Sequence, residues 1–596
     1  MKIGTMIKRS LPYIFVATFV LVAIFLRFYK LEQIPTIISH DEIYYVAQAK
    51  TIQLANTDPA GKWSPFSLSP AHPLFAELPG TVFSIGNFII PNNPILAQRI
   101  ISSSLSIALA LSLSLLCFQF TKNKNLSGVV LTIALFNPWS FQMARMAFDA
   151  PLSLVFYFIG MNLFFSKKKW MALLSLPIFI LGFYQYQGLK LIFPFLLALM
   201  LIVMFIKDRP KKINLPNFFH AKKWHLISLL ILLIFFGSHL VRLQSQKVQS
   251  RLSDTIFSEN NVQVKNSVAM DRAHTFSSPL TRYIINDQTT KLSIFSEKYL
   301  ASYNLNNLFY KLEQLRNPFA VQSHGLFYLV DLPLIIYGAL GLRKKNKPLL
   351  ALLLGLLLIA PFPAAINTND TWTLFRASLM YPPLIILSAS GLYYLATRVK
   401  NGGRYIFVTI LLIYVLLAIR FFFIFFYQYP VTASENYYFA ERIISNYVLR
   451  QQNLNTNSIT IHANEADFLY YEVLVHNKSI TNNSLSQIFE SFEKGDTFTI
   501  GTATMNTSCI NNEEIARGDT IITDSSVQPC DGAIPDTQKD YIKSFRDAGT
   551  YFIIYNDQLC ADVSLDSYPR ISKKILSVEA LTNDDFCKTL ISSDNI

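Results

Sequence analysis

The chain has 596 residues, of which 52% are hydrophobic and only 15% charged, with 48 phenylalanines and a formal net charge of +14. That balance belongs to a membrane protein and excludes an ordinary soluble enzyme. It also excludes a nucleic-acid binder, because the basic residues are spread over alternate short loops instead of one face.

Apolar runs of about 18 residues, enough at ~1.5 Å per residue to cross a hydrocarbon core of ~30 Å, recur through the first 430 residues. About eleven are expected, near 11–28, 95–120, 127–143, 150–166, 170–186, 190–206, 224–241, 326–342, 348–366, 374–396 and 404–426. The first follows Lys2, Lys8 and Arg9 but runs into "RFYKLEQ" without a small-residue cleavage site, so it reads as an uncleaved helix. The third is short and broken by "NPW". The loops "KNK" (122–124), "KKK" (167–169), "KDRPKK" (207–212), "RKKNK" (343–347) and "RVKNGGR" (398–404) carry the positive charge. By the positive-inside rule they are cytoplasmic, which puts the N-terminus inside and everything after about residue 430 outside, in a multi-pass protein of the cell membrane.

Three longer segments fall on the outer side: 29–94, 242–325 and the tail. The expected division is a transmembrane domain over 1–430 and an extracytoplasmic domain over 431–596. In the tail, "SITIHA" (458–463), "TFTIGTA" (497–503), "DTIITD" (519–524) and "TYFIIYN" (550–556) alternate with helix-like stretches at 466–477 and 484–494, the signature of a small α/β domain. Its four cysteines, Cys509, Cys530, Cys560 and Cys587, lie in an oxidising compartment if the topology holds. They are expected to form two disulfides with three connectivities open, while Cys117 sits inside an apolar helix.

The charges that topology does not explain carry the functional signal. Arg99, Arg145, Lys190 and Arg376 each stand at the outer end of a predicted helix, where a cation is costly unless it pairs, snorkels or meets an anion. Together they suggest a phosphate site at the outer membrane surface. Opposite them "SHDEIYYVAQAK" (39–50) places Asp41 and Glu42 at the start of a helix expected to lie along the outer surface, with Ser39 or Asp41 as cap. A lone Asp-Glu pair there is ordinary capping; facing a group of cations, it can serve proton transfer. Asp41 and Glu42 could also bind a divalent cation, although two ligands do not make a site. No other cofactor is indicated.

The segments "HDEIYY", "AHPLFAELPG" (71–80), "RMAFDAPLSL" (145–154) and "GFYQYQGLKLIFP" (182–194) resemble, in order and placement, bacterial relatives of the protein O-mannosyltransferases, which are family 39 GT-C glycosyltransferases, and of the lipid A aminoarabinose transferases. The resemblance spans roughly 10–430. It implies an all-α polytopic GT-C fold, here followed by the α/β tail. It further implies inverting transfer of a sugar, as in a mannosyltransferase, from a polyprenyl-phosphate donor to an acceptor hydroxyl on a protein, lipid or cell-envelope glycan. On this resemblance Asp41 matches the catalytic acidic residue, acting as general base, and Arg145 the residue on the lipid phosphate, while Glu42, Tyr44, Asp149 and Lys190 match positions lining the cavity, with His72 and Tyr186 beside them. His72 stands in "HPLF", which lacks the second proline of the family's motif. A flippase or transporter of lipid-linked glycans, or a ligase, would also use cations and carboxylates, but a transporter is expected to show internal repeats and charges near the bilayer midplane.

Overall fold

The structure is a computed structural model that describes residues 17–36, 38–69, 75–208, 220, 222–245, 255–258, 261–276, 278–312, 319, 321, 324–368, 373–398, 403–432, 438–454, 458–530, 539–545, 547–569 and 573–593. The protein is a polytopic helical membrane protein with a C-terminal α/β sheet domain. Every apolar run expected from the sequence contains a helix. Among the described residues, five helices are long and apolar enough to cross a membrane, Pro94–Thr121, Lys223–Arg242, Lys347–Ile366, Ser378–Thr397 and Val408–Thr432, or six if the bent pair Pro138–Ala144 and Asp149–Phe164 is one span. Four shorter apolar helices lie among them, including α1 (Ala17–Phe28) and Lys124–Phe136.

The first half of the bundle builds the site. It comprises α1, α2 (His40–Ala55), α3 (Pro79–Ile89), α4 (Pro94–Thr121), α5 (Lys124–Phe136), α6 (Pro138–Ala144), α7 (Asp149–Phe164) and α8 (Met171–Phe183). The "NPW" interruption ends α5: Asn137 leaves helical geometry and its side chain caps α6 by accepting from Ser140 N. Between α6 and α7 the axis turns through 112° over Arg145–Phe148. Elsewhere in the bundle, Asp331–Lys345 packs on Tyr381–Arg398 through Gly338 and Gly391. A Cβ at either glycine would run into the main-chain carbonyl of Leu387 or Leu334, so only a hydrogen permits this approach.

Beyond the bundle, a helix at Phe439–Asn453 leads into one seven-stranded sheet. Its strands are β1 (Ile459–His462), β2 (Thr497–Ile500), β3 (Ala503–Asn506), β4 (Thr520–Asp524), β5 (Lys539–Lys543), β6 (Thr550–Tyr555) and β7 (Ser592–Ser593), in the order β2-β3-β1-β4-β6-β5-β7. β1 pairs parallel with β3 and β4, and the remaining pairs are antiparallel. The crossover from β1 carries Ala466–His476, almost wholly buried, and Leu485–Lys494. Cys509 is bonded to Cys530 and Cys560 to Cys587, while Cys117 is a buried free thiol.

One sequence expectation is corrected here. α2 does not lie along an open surface: from Glu42 to Ala49 it is buried, packed between α3 and α4 on one side and Ala466–His476 on the other. The sheet domain therefore covers it. That contact also places the segment before α3 and the tail on the same face of the bundle.

Candidate active site at the start of α2

The turn between α1 and α2 closes locally through Gln33 N and Ile34 N, which both donate to Lys30 O (3.1 and 3.0 Å), and three buried arginines surround it, two of them gripping its carbonyls. Arg27, at the end of α1, donates to Leu135 O (2.6 Å) and to the hydroxyls of Ser106 (3.2 Å) and Ser140 (3.0 Å). Arg99, from the first turns of α4, donates to the carbonyls of Leu31 (3.2 Å), Glu32 (3.3 Å) and Pro35 (2.9 Å). Arg145, in the bend between α6 and α7, donates to the carbonyls of Leu26, Arg27, Tyr29, Lys30 and Ile34 at 2.8–3.2 Å.

These contacts change how two of the expected phosphate cations are read. A guanidinium has five N–H donors, and all five of Arg145 are spent on main-chain carbonyls, two of them in the last turn of α1, whose orphan acceptors need partners. Its charge rests on the rings of Phe141, Phe425 and Phe426, at 5.7, 5.8 and 5.2 Å. In this arrangement Arg145 has no N–H left for a phosphate. Arg99 is likewise committed, since its Nε lies 3.0 Å from Glu42 Oε1 with both side chains buried.

The two carboxylates of "SHDE" are thereby separated. Ser39 caps α2, its hydroxyl accepting from Glu42 N at 3.2 Å. Glu42 turns inward, where its Oε1 accepts from Arg99 Nε and, at 3.0 Å, from Ala147 N. Asp41 turns outward and is exposed in the first turn, where the helix dipole favours its ionised form. The pair does not converge on one point, so it does not fit a two-carboxylate cation site. Among the described residues no group of three His, Cys, Asp or Glu is arranged to hold a metal.

The structure brings the charges of Asp41 and a second aspartate to bear on one tyrosine. Asp149 opens α7, and its Oδ2 accepts a 2.9 Å hydrogen bond from Tyr45 Oη. Tyr45 stands one turn after Asp41 on α2. Burial first, then the charges of Asp149 and Asp41, push its phenol well above the usual range. It is therefore a neutral donor fixed on Asp149, within the field of Asp41. Tyr45 escaped the sequence reading, which singled out its neighbour Tyr44. The signal was its spacing, i+4 from Asp41. Tyr44 is structural packing: its ring stacks on Phe75 at 3.9 Å and meets Tyr471 edge-on at 5.6 Å.

Lys190 is held by a residue the sequence reading also passed over. Its Nζ contacts both oxygens of Glu77 at 2.5 and 2.6 Å, and both side chains are largely buried. The loop before α3 is tied to the same place by Leu78 N to Tyr184 O (3.1 Å) and Gln187 Nε2 to Phe75 O (2.6 Å). Tyr186, half-buried, precedes the short helix Gln187–Lys190. The clue to Glu77 was its isolation as the one acid in "AHPLFAELPG". Arg376 ends the short helix Thr373–Arg376 and is half-buried. His72 lies outside the described residues.

The sheet domain roofs this arrangement. Arg442 Nη1 donates to Thr36 O (2.5 Å), while its other nitrogens hold Glu579 (2.7–3.0 Å). His40, adjacent to Asp41, stacks on Tyr438 at 5.4 Å. Asp41 thus lies at the seam between the helical bundle and the C-terminal domain.

No protein-family model matches the chain, and no curated protein does. Among solved structures it is similar to ArnT from Cupriavidus metallidurans in the apo state, with 10% identity, 91% of this chain and 98% of that one covered, and a TM-score of 0.49. The same protein bound to undecaprenyl phosphate gives 9%, 91%, 98% and 0.47. The archaeal oligosaccharyltransferase AglB from Archaeoglobus fulgidus, in complex with an inhibitory peptide and a dolichol-phosphate, gives 11%, 93%, 75% and 0.42.

Proposed function

We propose that the protein is an integral-membrane glycosyltransferase that moves a sugar from a polyprenyl-phosphate donor to an acceptor hydroxyl on the outer face. The observation that carries this reading is an exposed Asp41 one helical turn before Tyr45, whose hydroxyl is bonded to Asp149, at the seam of a membrane bundle and a sheet domain. The order of "HDEIYY", "RMAFDAPLSL" and "GFYQYQGLKLIFP" along the chain supports it independently.

In this mechanism the acceptor oxygen attacks the anomeric carbon from the side opposite the phosphate. Its proton passes to Asp41, the carbon–phosphate-oxygen bond breaks, and polyprenyl phosphate leaves with the bonding electrons. The configuration inverts. Tyr45 and Asp149 hold the acceptor side, and the general base contributes roughly a hundredfold or more. The leaving phosphate needs positive charge, which supports a place near Arg376 and the Lys190–Glu77 pair. Arg99 and Arg145 serve by holding the turn that positions Asp41, and their charge adds to the local field.

Mass spectrometry of lipid that co-purifies with the protein in detergent tests this reading. A polyprenyl-phosphate sugar is the expected species. Its absence from protein extracted under conditions that retain ordinary phospholipid would count against a lipid-linked donor. The opposing reading, a flippase, predicts such a lipid too, but predicts no dependence of sugar transfer on Asp41.

A further inference from the structure

A cavity of about 250 Å³ opens where the chain enters the sheet domain. Four aromatic side chains line it: Tyr438, Phe439, Phe545 and Tyr551. Glu441, from the opening helix, and Lys543, from β5, belong to the lining, the Lys543 ammonium being held by Ser567 O at 3.3 Å and over the Tyr541 ring at 4.8 Å. Phe439 and Phe545 contact each other at 5.5 Å between ring centres, which closes the apolar end. Tyr551 is 37% exposed, which leaves the mouth open to solvent.

We propose that this cavity binds one pyranose ring of a glycan acceptor, and the inference rests on the transferase reading given above. The chemistry selects the ligand. A pyranose has one apolar face of C–H bonds that packs on aromatic rings, and a rim of hydroxyls that both donate and accept. Aromatic walls with the Glu441 carboxyl beside them match that division. An alkyl chain would set hydrocarbon against the Glu441 carboxyl, and the volume takes a single ring and not a folded segment.

Its position selects the role. Tyr438 lines the cavity and also stacks on His40 at 5.4 Å, next in sequence to Asp41. A sugar seated here is therefore one aromatic ring away from the loop that carries the base. Tyr438 also holds a left-handed backbone, φ 57° and ψ 42°, which a bulky non-glycine residue rarely adopts. Strain of this kind gathers at functional sites, and here it aims the ring between cavity and loop.

Saturation-transfer NMR on the full-length protein in lipid nanodiscs tests the proposal, using methyl glucoside, mannoside, galactoside and N-acetylglucosaminide as probes. Saturation of at least one pyranoside is expected. Tyr551→Ala and Glu441→Gln should each weaken it roughly fivefold, the loss of one ring contact or one hydrogen bond. Tyr551→Trp, which keeps an aromatic face, should retain it, as should Asp41→Asn. Thermal midpoints recorded alongside separate binding from folding. The proposal is overturned if no pyranoside is saturated, or if Tyr551→Ala and Glu441→Gln bind like the parent. Polyprenyl phosphate co-purifying without any sugar saturation would remove the acceptor cavity alone. Sugar saturation without co-purified lipid would keep the cavity and remove the transferase reading.

Discussion

Arg99 and Glu42 form an ion pair, 3.0 Å from Nε to Oε1, that joins α4 to the first turn of α2 with neither side chain reaching solvent. A buried pair of this kind contributes little net stability while intact, because desolvation offsets attraction, yet breaking it strands a charge.

Glu42→Gln should therefore act on folding. The neutral amide leaves the Arg99 guanidinium uncompensated, at a cost of about 3–5 kcal/mol. The expected outcome is a sharply lowered yield and thermal midpoint, with whatever folded protein remains still able to transfer sugar. A variant of normal midpoint that has lost transfer would instead return Glu42 to the chemistry.

Arg145→Ala should likewise destabilise the turn between α1 and α2. It removes six hydrogen bonds to main-chain carbonyls in one step. Arg145→Lys keeps the charge but cannot reproduce the fork of donors, so it should fare little better. Protease sensitivity in the 29–36 turn is the measurement. Were the residue a phosphate ligand, Arg145→Lys would instead preserve folding and much of the donor affinity.

These two residues also mark where the sequence stops being informative. The apolar runs, the Ser39 cap and the strands β1, β2, β4 and β6 are local patterns, and each could be read from a window of a dozen residues. β3 and β5 could not: "ATMN" and "KDYIK" carry little strand signal, and their pairing comes from neighbours across the sheet. The same holds for the site. Arg99 and Arg145 were visible as misplaced cations, but their partners lie 57 residues away at Glu42 and more than a hundred away in the α1–α2 turn. Lys190 finds Glu77 across 113 residues. A charge at a membrane boundary announces that it needs a partner, and only the fold says whether that partner is a ligand or the chain itself.

The sheet domain should lose stability as pH rises. Asp540, buried on β5, is pushed up from its ordinary value by desolvation, then by the charge of Asp557 and their shared hydrogen bond. The folded state thus holds a proton that the unfolded state releases. Its stabilising contribution is complete below the unfolded carboxylate value of 3.8 and declines as pH climbs through the raised folded value. Asp557 keeps its own partners, accepting from Tyr447 Oη at 2.7 Å and Leu559 N at 2.8 Å. Asp540→Asn supplies a permanent donor in place of the proton. Thermal melts between pH 5 and pH 8 should show a falling midpoint in the parent and a flatter profile in Asp540→Asn; parallel profiles would show that the pair does not govern the pH response.

Asp41→Asn addresses the chemistry itself. The exchange keeps side-chain size and leaves the Ser39 cap in place, so the helix start and the Glu42–Arg99 pair should survive. It removes the basic oxygen. If Asp41 takes the acceptor proton, transfer should fall about a hundredfold or more with donor lipid still bound and the midpoint unchanged. Tyr45→Phe supplies the control. It deletes the hydroxyl with its hydrogen bond to Asp149 and its backbone contact at Ala76, so it should reduce transfer by a smaller factor, about tenfold for a bond of about 1.5 kcal/mol to a charged group. It should also shift the pH–rate profile, because Asp149 loses a donor that favours its ionised form. A Tyr45→Phe loss as large as that of Asp41→Asn would make the tyrosine the essential group. Normal transfer by a folded, lipid-loaded Asp41→Asn would leave this aspartate as no more than a helix start.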